Sequence, residues 1–501
     1  MHAESSRRPE LFIALVGPVG TDLSEVLRAV ESDLLQVGYE CLEVHLSKRM
    51  ESLRLKALKA LPSNGAQYRR IKALMAAGDE LRRVTGRDDA LAVLASAFIA
   101  DKREEAVKKK GFMPRRCYIL RSLKRPEEAK TLREIYGPAF YLMAAYSPED
   151  LRVKRLTKTL AASESASNIA AFKPKAQELI NRDEDDEQNP HGQRLRDTFP
   201  IADVFVKASD RKSLQRGTHR FIQKLFGSQF LTPTVEERGM FHAKAAAVRS
   251  ADLSRQVGAA IATSEGEIVA VGANEVPRFG GGLYSCEDSH DARDFCLGKN
   301  SNRLMKQRIL SEILNKFKKS GWLNDNLSAK SSEELTGPAL SVLKGARLMD
   351  LGEFGRTVHG EMAALMDAAR RGVPVSGGTL YVTTFPCHNC AKHIVAAGIK
   401  RVVYIEPYPR SMARELHEDS IVVDPQNEVH DKVVFEQFIG IAPRRYIEMF
   451  EMGVRQTVSE ELAAEPGLES LPISRVHFRA YRDLEKEHIE GLRKVLVKKK
   501  L

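Results

Sequence analysis

Two short clusters constrain this chain more than any other feature: His359-Gly360-Glu361, and about 26 residues further on, Pro386-Cys387-His388-Asn389-Cys390. Cys387 and Cys390 are three apart, so on a helix they share one face. Pro386 stands just ahead of that helix, where its missing N–H costs little. Two thiolates and one imidazole make a three-ligand set for zinc, and a fourth position left to water marks a catalytic rather than a structural site. A bare C-x-x-C would read equally as a structural zinc knuckle or a redox pair. The upstream His-x-Glu, with each cluster at a predicted helix start, points to catalysis. Any fold of this chain has to bring these residues together.

The surrounding pattern supplies elements that can do so. A helix is predicted over 236–251, and strands over 257–263 and 268–273 are joined across Glu265-Gly266 as a hairpin. After a long polar, Gly- and Lys-rich stretch come a helix over 359–371 stopped by Gly372, a strand over 379–384, a helix over 387–397 and a strand over 401–405. Upstream, apolar runs at 11–16, 39–46, 117–120, 140–145 and 204–207 alternate with helical stretches, which predicts a parallel, doubly wound α/β sheet. The expected organisation is a first domain over 1–227, a linker over 228–235, a second domain over 236–450 with an insert at about 280–350, and a helical basic tail over 451–501. The acidic run 182–187 reads as a solvated loop or helix end.

Composition narrows the function classes. No apolar run approaches the roughly 20 residues that span a bilayer, and the first ten residues lack an apolar signal core. A cytoplasmic protein without membrane contact is expected. Six cysteines in 501 residues do not make a disulfide scaffold. The formal net charge of +11 suits a polyanionic partner, whether nucleotide, nucleic acid or acidic surface.

The H-x-E and P-C-x-x-C pair matches the signature of zinc deaminases. Residues 236 to about 440 resemble the deoxycytidylate deaminase branch of the cytidine deaminase-like fold, a three-layer α-β-α domain. The likeness rests also on Arg249-Ser250-Ala251-Asp252, on Gln256 to Ile261 and on Ile268 to Asn274. It implies that His359, Cys387 and Cys390 hold Zn2+, which lowers the pKa of bound water to roughly 7 for attack at C4 of cytosine. Glu361 would then carry the proton from water to ring N3 and to the leaving ammonia. It further implies that Asn274 hydrogen-bonds the deoxyribose, that Arg249 lies on the phosphate side, and that Thr384 and Phe385 line the base pocket. Read from residue type alone, Asn274 is a turn residue and Arg249 a surface ion-pair partner.

The whole chain resembles the anti-phage dCTP deaminases, in which a P-loop-kinase-like half is fused to such a deaminase and lowers the deoxycytidine nucleotide supply during infection. The segments 406–411, 416–420 and 438–446 carry that likeness. Arg410, Arg444 and Arg445 would supply cationic partners for a triphosphate. A homo-oligomer is expected by the same likeness. A restraint on activity, by an inhibitory RNA or protein or by the N-terminal domain, is expected because constant depletion would harm the host.

Gly17 to Ser24 follows a strand and opens a helix, as a phosphate loop should. Gly17, Gly20 and Ser24 fit this loop, but Asp22 stands in place of the second motif glycine and Leu23 in place of its lysine. Residues 147–156 resemble the segment leading into the lid of small-molecule kinases. Phosphoryl transfer is therefore not expected, although helix N–H groups at 20–24 could still hold an anion. Cys286, His290 and Cys296 have a spacing compatible with a second zinc, and read otherwise as free cysteines and a loop histidine. Two competing functions stand beside the nucleotide deaminase. One is a polynucleotide deaminase acting on cytosine or adenine of tRNA or single-stranded DNA; the other is a sensing module with a vestigial metal site, which the intact Glu361 opposes.

Overall fold

A computed structural model describes residues 9–62, 66–111, 114–186, 189–228, 230–408, 410–451, 467, 472 and 478–501. Glu187 of the acidic run, Gln229 of the expected linker, Pro409 and most of 452–477 in the expected tail lie outside these. The chain divides into two compact units, one of 1–241, 405–407 and 437–501, the other of 242–404 and 408–436.

The first unit is built on strands β1 (Leu11–Val16), β2 (Glu40–His45), β3 (Arg116–Arg121), β4 (Phe140–Tyr146) and β5 (Val204–Lys207). They lie in the order β5-β4-β1-β3-β2, all parallel, so the chain reverses direction across β1. Every residue of β1 is buried, as a central parallel strand requires. Helices α1 (Leu23–Gln36), α2 (Gln67–Thr85), α3 (Ala90–Lys110), α4 (Pro126–Tyr136), α5 (Glu149–Ser163), α6 (Lys173–Glu184) and α7 (Arg211–Leu225) make the connections. On one face Leu11, Ile13 and Leu15 pack with Val26 and Val30 of α1 and Phe221 of α7. On the other, Phe12 stacks on Tyr136 of α4, ring centroids 3.7 Å apart, and meets Tyr481 edge-on. This is the doubly wound sheet that the alternating pattern predicts.

Two late segments belong to this unit rather than to a deaminase domain and a free tail. Gly440–Ile441 pairs antiparallel with β5. The C-terminal helix Phe478–Lys499 docks through Arg103, whose guanidinium meets both Glu10 (2.9 Å) and Glu485 (2.5 Å) with all three side chains buried. Tyr136 and Tyr481 donate their hydroxyls to Glu485 and Glu10. The sequence boundary at 450 followed chain continuity, whereas the pairing partners lie more than 200 residues away.

The second unit begins within α8 (Val235–Ala247) and holds a mixed sheet of β6 (Gly258–Ala262), β7 (Ile268–Ala273), β8 (Thr379–Thr384), β9 (Arg401–Glu406), β10 (Ile421–Val423) and β11 (Val433–Gln437), in the order β10-β11-β9-β8-β6-β7. α8 ends four residues short of the expected 251, because Ser250 and Asp252 turn their side chains onto the amides of Asp252 and Ser254. The insert contributes helices α9 (Ser301–Lys319) and α10 (Ser332–Val342), which pack on each other. Beyond it lie α11 (Gly360–Arg371) and α12 (His388–Ala396). Ala259, Ile261, Leu380, Val382 and Val402 share one apolar cluster with Ala364 and Ala368 of α11 and Ile394 of α12. The Cα of Gly258, which faces the other way along β6, is covered by Ala243 and Ala247 of α8. Helices therefore lie on both faces, giving three layers. Among the described residues no helix is long and apolar enough to cross a membrane.

Candidate metal centre and active site

Both clusters sit at helix starts, and the helices bring them together. His359 is the N-cap of α11, extended at φ −68° and ψ 154°, and Cys387 is the N-cap of α12 at φ −68° and ψ 164°. Each carbonyl begins its helix, to Ala363 N (2.8 Å) and Ala391 N (2.9 Å). Ser411 donates its hydroxyl to the carbonyl of Pro386 at 2.7 Å and so steadies the turn into Cys387. Val358, just ahead of His359, exchanges both backbone hydrogen bonds with Glu275.

The Nδ1 of His359 lies 3.3 Å from the sulfur of Cys387 and 3.4 Å from that of Cys390. Tetrahedral ligation at ordinary Zn–N and Zn–S lengths puts such pairs about 3.5 Å apart. The donor set therefore fits zinc in both chemistry and spacing. Among the described residues these three form the one group of three or more His, Cys, Asp or Glu whose ligand atoms gather within 4.8 Å. His359 is exposed, Cys387 half-buried and Cys390 buried, so the centre is open on the histidine side.

The electrostatics are those of a site prepared for a cation. Without metal, the Cys390 thiol and the His359 ring hold Cys387 down to about 4 against the cost of burial. Its thiolate in turn raises His359 to about 9. Cys390, bonded to that thiolate and buried, is pushed well up. Two helix N-termini at the same point favour the thiolate form of the ligand cysteines. Glu361, in the first turn of α11 and 3% exposed, is not among the gathered ligands. Burial first, and the neighbouring Cys387 charge second, push its carboxyl up to about 7. That is the range in which a carboxyl can both take and return a proton near neutrality.

The remaining sequence candidates are placed differently. Asn274 is buried, and its amide is engaged by backbone: Oδ1 accepts from Val257 N and Nδ2 donates to Arg255 O, both at 2.7 Å. It clamps the loop before β6. Thr384 is buried at the end of β8, and the half-buried Phe385 packs against Tyr404 and Phe435 at the margin of the apolar cluster. Arg249 donates to Leu283 O at 3.0 Å. Arg410 is exposed in a turn of the second unit.

Arg444 and Arg445 lie in the first unit, where the fully buried Asp203 pairs with both guanidiniums at 3.2 and 3.1 Å and with Arg133 as well. Cys286, His290 and Cys296 are exposed and do not gather as ligands. In the first unit, Gly17 ends β1 and Ser24 lies in the first turn of α1, but the amides of Ser24 and Glu25 are taken by the Asp22 carboxylate.

Two residues near the centre escaped the sequence reading. Glu275, 1% exposed, accepts from Ala251 N at 2.8 Å and from its neighbour Val276 N at 2.9 Å, and Thr357 donates its hydroxyl to Asp252 at 2.9 Å. Together they tie the 250–252 loop to the approach to His359. A carboxylate two residues after the apolar run of β7 was the available signal.

Residues 233–406 match the family described as the cytidine and deoxycytidylate deaminase zinc-binding region. Over 80 residues the chain is 42% identical to ComE operon protein 2 of Bacillus subtilis (strain 168), covering 16% of this chain and 42% of that protein. Over 54 residues it is 46% identical to the deoxycytidylate deaminase of Enterobacteria phage T4, covering 11% and 28%. The chain thus spans less than half the length of these curated relatives. Among solved structures, the dCMP deaminase from the cyanophage S-TIM5 in complex with dCMP and dUMP aligns at 19% identity and a TM-score of 0.23, covering 41% of this chain and 98% of that one.

Proposed function

We propose that this chain is a zinc-dependent hydrolase that removes the amino group at C4 of free deoxycytidine nucleotides, taking dCTP to dUTP, dCMP to dUMP, or both. The observation that carries the reading is the meeting of His359, Cys387 and Cys390 beside the buried Glu361, within the segment that matches the deaminase zinc-binding region. In the net reaction water supplies the oxygen at C4, the C4–N bond breaks and ammonia leaves, so no redox partner is needed.

His359, Cys387 and Cys390 would hold the zinc, which when bound supplies a Lewis acid that makes water nucleophilic near neutral pH. Glu361 moves the protons: from water to ring N3, and then to the departing amino group. Its burial shields that transfer from bulk solvent. The exposed side of His359 leaves the nucleotide a way in.

The biological setting we propose is depletion of deoxycytidine nucleotides during phage infection, by a homo-oligomer held inactive beforehand by an RNA or protein partner. The resemblance of most of the sequence to the anti-phage dCTP deaminases supports this part.

The test is ammonia release from the purified zinc-loaded protein with dCTP, dCMP, cytidine and single-stranded oligonucleotide. Turnover of the free deoxynucleotides is expected. Turnover of the oligonucleotide alone would replace this reading with the polynucleotide deaminase. Unchanged dCTP and dCMP pools in infected, expressing cells would remove the defence role.

A further inference from the structure

The loop between β1 and α1 stands where a phosphate loop would, between a buried strand and a helix start, yet the chain fills it from within. Asp22 caps α1, and its Oδ1 accepts from Ser24 N and Glu25 N at 3.1 Å each. These are the helix-terminal amides that a phosphate would use. The other oxygen, Oδ2, pairs with Arg155 of α5. Burial pushes the Asp22 carboxyl up, but Arg155 and the Glu25 amide outweigh it and hold it below the usual carboxylate range.

The neighbouring amides are also engaged. Val19 N donates to the buried Asp183 at 2.7 Å, and Thr21 N and Leu23 N bond within the loop. Lys124 bridges Asp183 (2.8 Å) and the carbonyl of Gly17 (3.1 Å), so this lysine is committed as well. Helix α5 lies directly on the loop. Gly20 is left-handed at φ +92°, and a β-carbon there would stand 2.7 Å from the carbonyl of Arg152.

We propose that Asp22 is an internal stand-in for phosphate, and that with Arg155 it straps α5 onto residues 17–22 and closes this loop to nucleotides. The loop then serves the architecture of its own unit rather than a second substrate. This inference is independent of the reaction proposed for the zinc centre.

The experiment is calorimetric titration of inorganic triphosphate and of Mg-ATP into the full chain. Asp22→Gly removes both the charge and the capping oxygen, frees the Ser24 and Glu25 amides and releases Arg155, and glycine is still tolerated at an N-cap. Triphosphate should bind Asp22→Gly more tightly than the unmodified chain by about tenfold, and Asp22→Gly/Arg155→Ala should lose that gain. Equal affinity in the single variant and the unmodified chain would overturn the stand-in. In Arg155→Ala, whose side chain is half-exposed and carries no core packing, the amides of 149–156 should exchange hydrogen faster. Unchanged exchange there would overturn the strap.

Discussion

Gly272 of β7 lies so close beneath Ala364 of α11 that a β-carbon on the glycine would stand 2.2 Å from the Ala364 nitrogen. The helix that carries Glu361 rests on bare backbone at this point. Gly272→Ala must push α11 off the sheet, at about 1–3 kcal/mol for overpacking. Gly491, within the C-terminal helix, where a β-carbon would meet only the end of the Arg87 side chain at 3.4 Å, is the control. Alanine there should stabilise by about 0.5–1 kcal/mol. Urea unfolding of both variants checks the contrast, and equal shifts would contradict it.

Glu361→Gln should keep its zinc and lose turnover, because the carboxyl is not among the gathered ligands and its proposed task is proton transfer. Loss of positioned acid–base catalysis is worth about 10²–10⁴-fold in rate. Metal content by atomic emission, beside ammonia release, reads the two effects apart. A variant that loses its zinc would make Glu361 a support of the metal instead.

Removing the metal should expose one cysteine before the other. With Cys387 held at about 4 and Cys390 pushed well up, the metal-free site carries its thiolate on Cys387. Because the depressed value favours the charged form above it, iodoacetamide should alkylate Cys387 first throughout the neutral range. The rate should fall only as pH drops through about 4. Peptide mapping after chelation checks the order, and restored zinc should protect both sulfurs.

Arg103→Met leaves Glu10 and Glu485 buried without their shared cation. Breaking a buried ion pair from one side costs about 3–5 kcal/mol. Denaturant unfolding of the first unit should show that loss. Arg103→Met/Glu485→Gln should recover part of it, since one of the stranded charges is then gone.

The parts legible from sequence are those in which chemistry or periodicity acts locally. The zinc ligands stand at fixed offsets within two short stretches. Strands such as Val204–Lys207 and Ile268–Ala273 announce themselves by apolar runs between turn residues. What was hidden depends on distant partners. Nothing near Arg445 indicates that Asp203, 242 positions earlier, will hold it. Nothing beside Asn274 shows that residues 255 and 257 will take up its amide. Phe385 lies next to the metal cysteines in the chain, and nothing beside it shows that its ring will meet Tyr404. Asp22 could be seen to break the phosphate-loop pattern; that it also completes the loop needed Arg155 in place.

The first unit borrows its edge strand, Gly440–Ile441, and its last helix from residues made after the whole zinc-binding unit. On the ribosome, where chains emerge at about 5–20 residues per second, the later-encoded unit can therefore finish first. The earlier one must wait, with β5 lacking its neighbour and Phe12 lacking Tyr481, until the closing residues emerge. Chaperone demand during synthesis should therefore fall on the N-terminal half of this polypeptide.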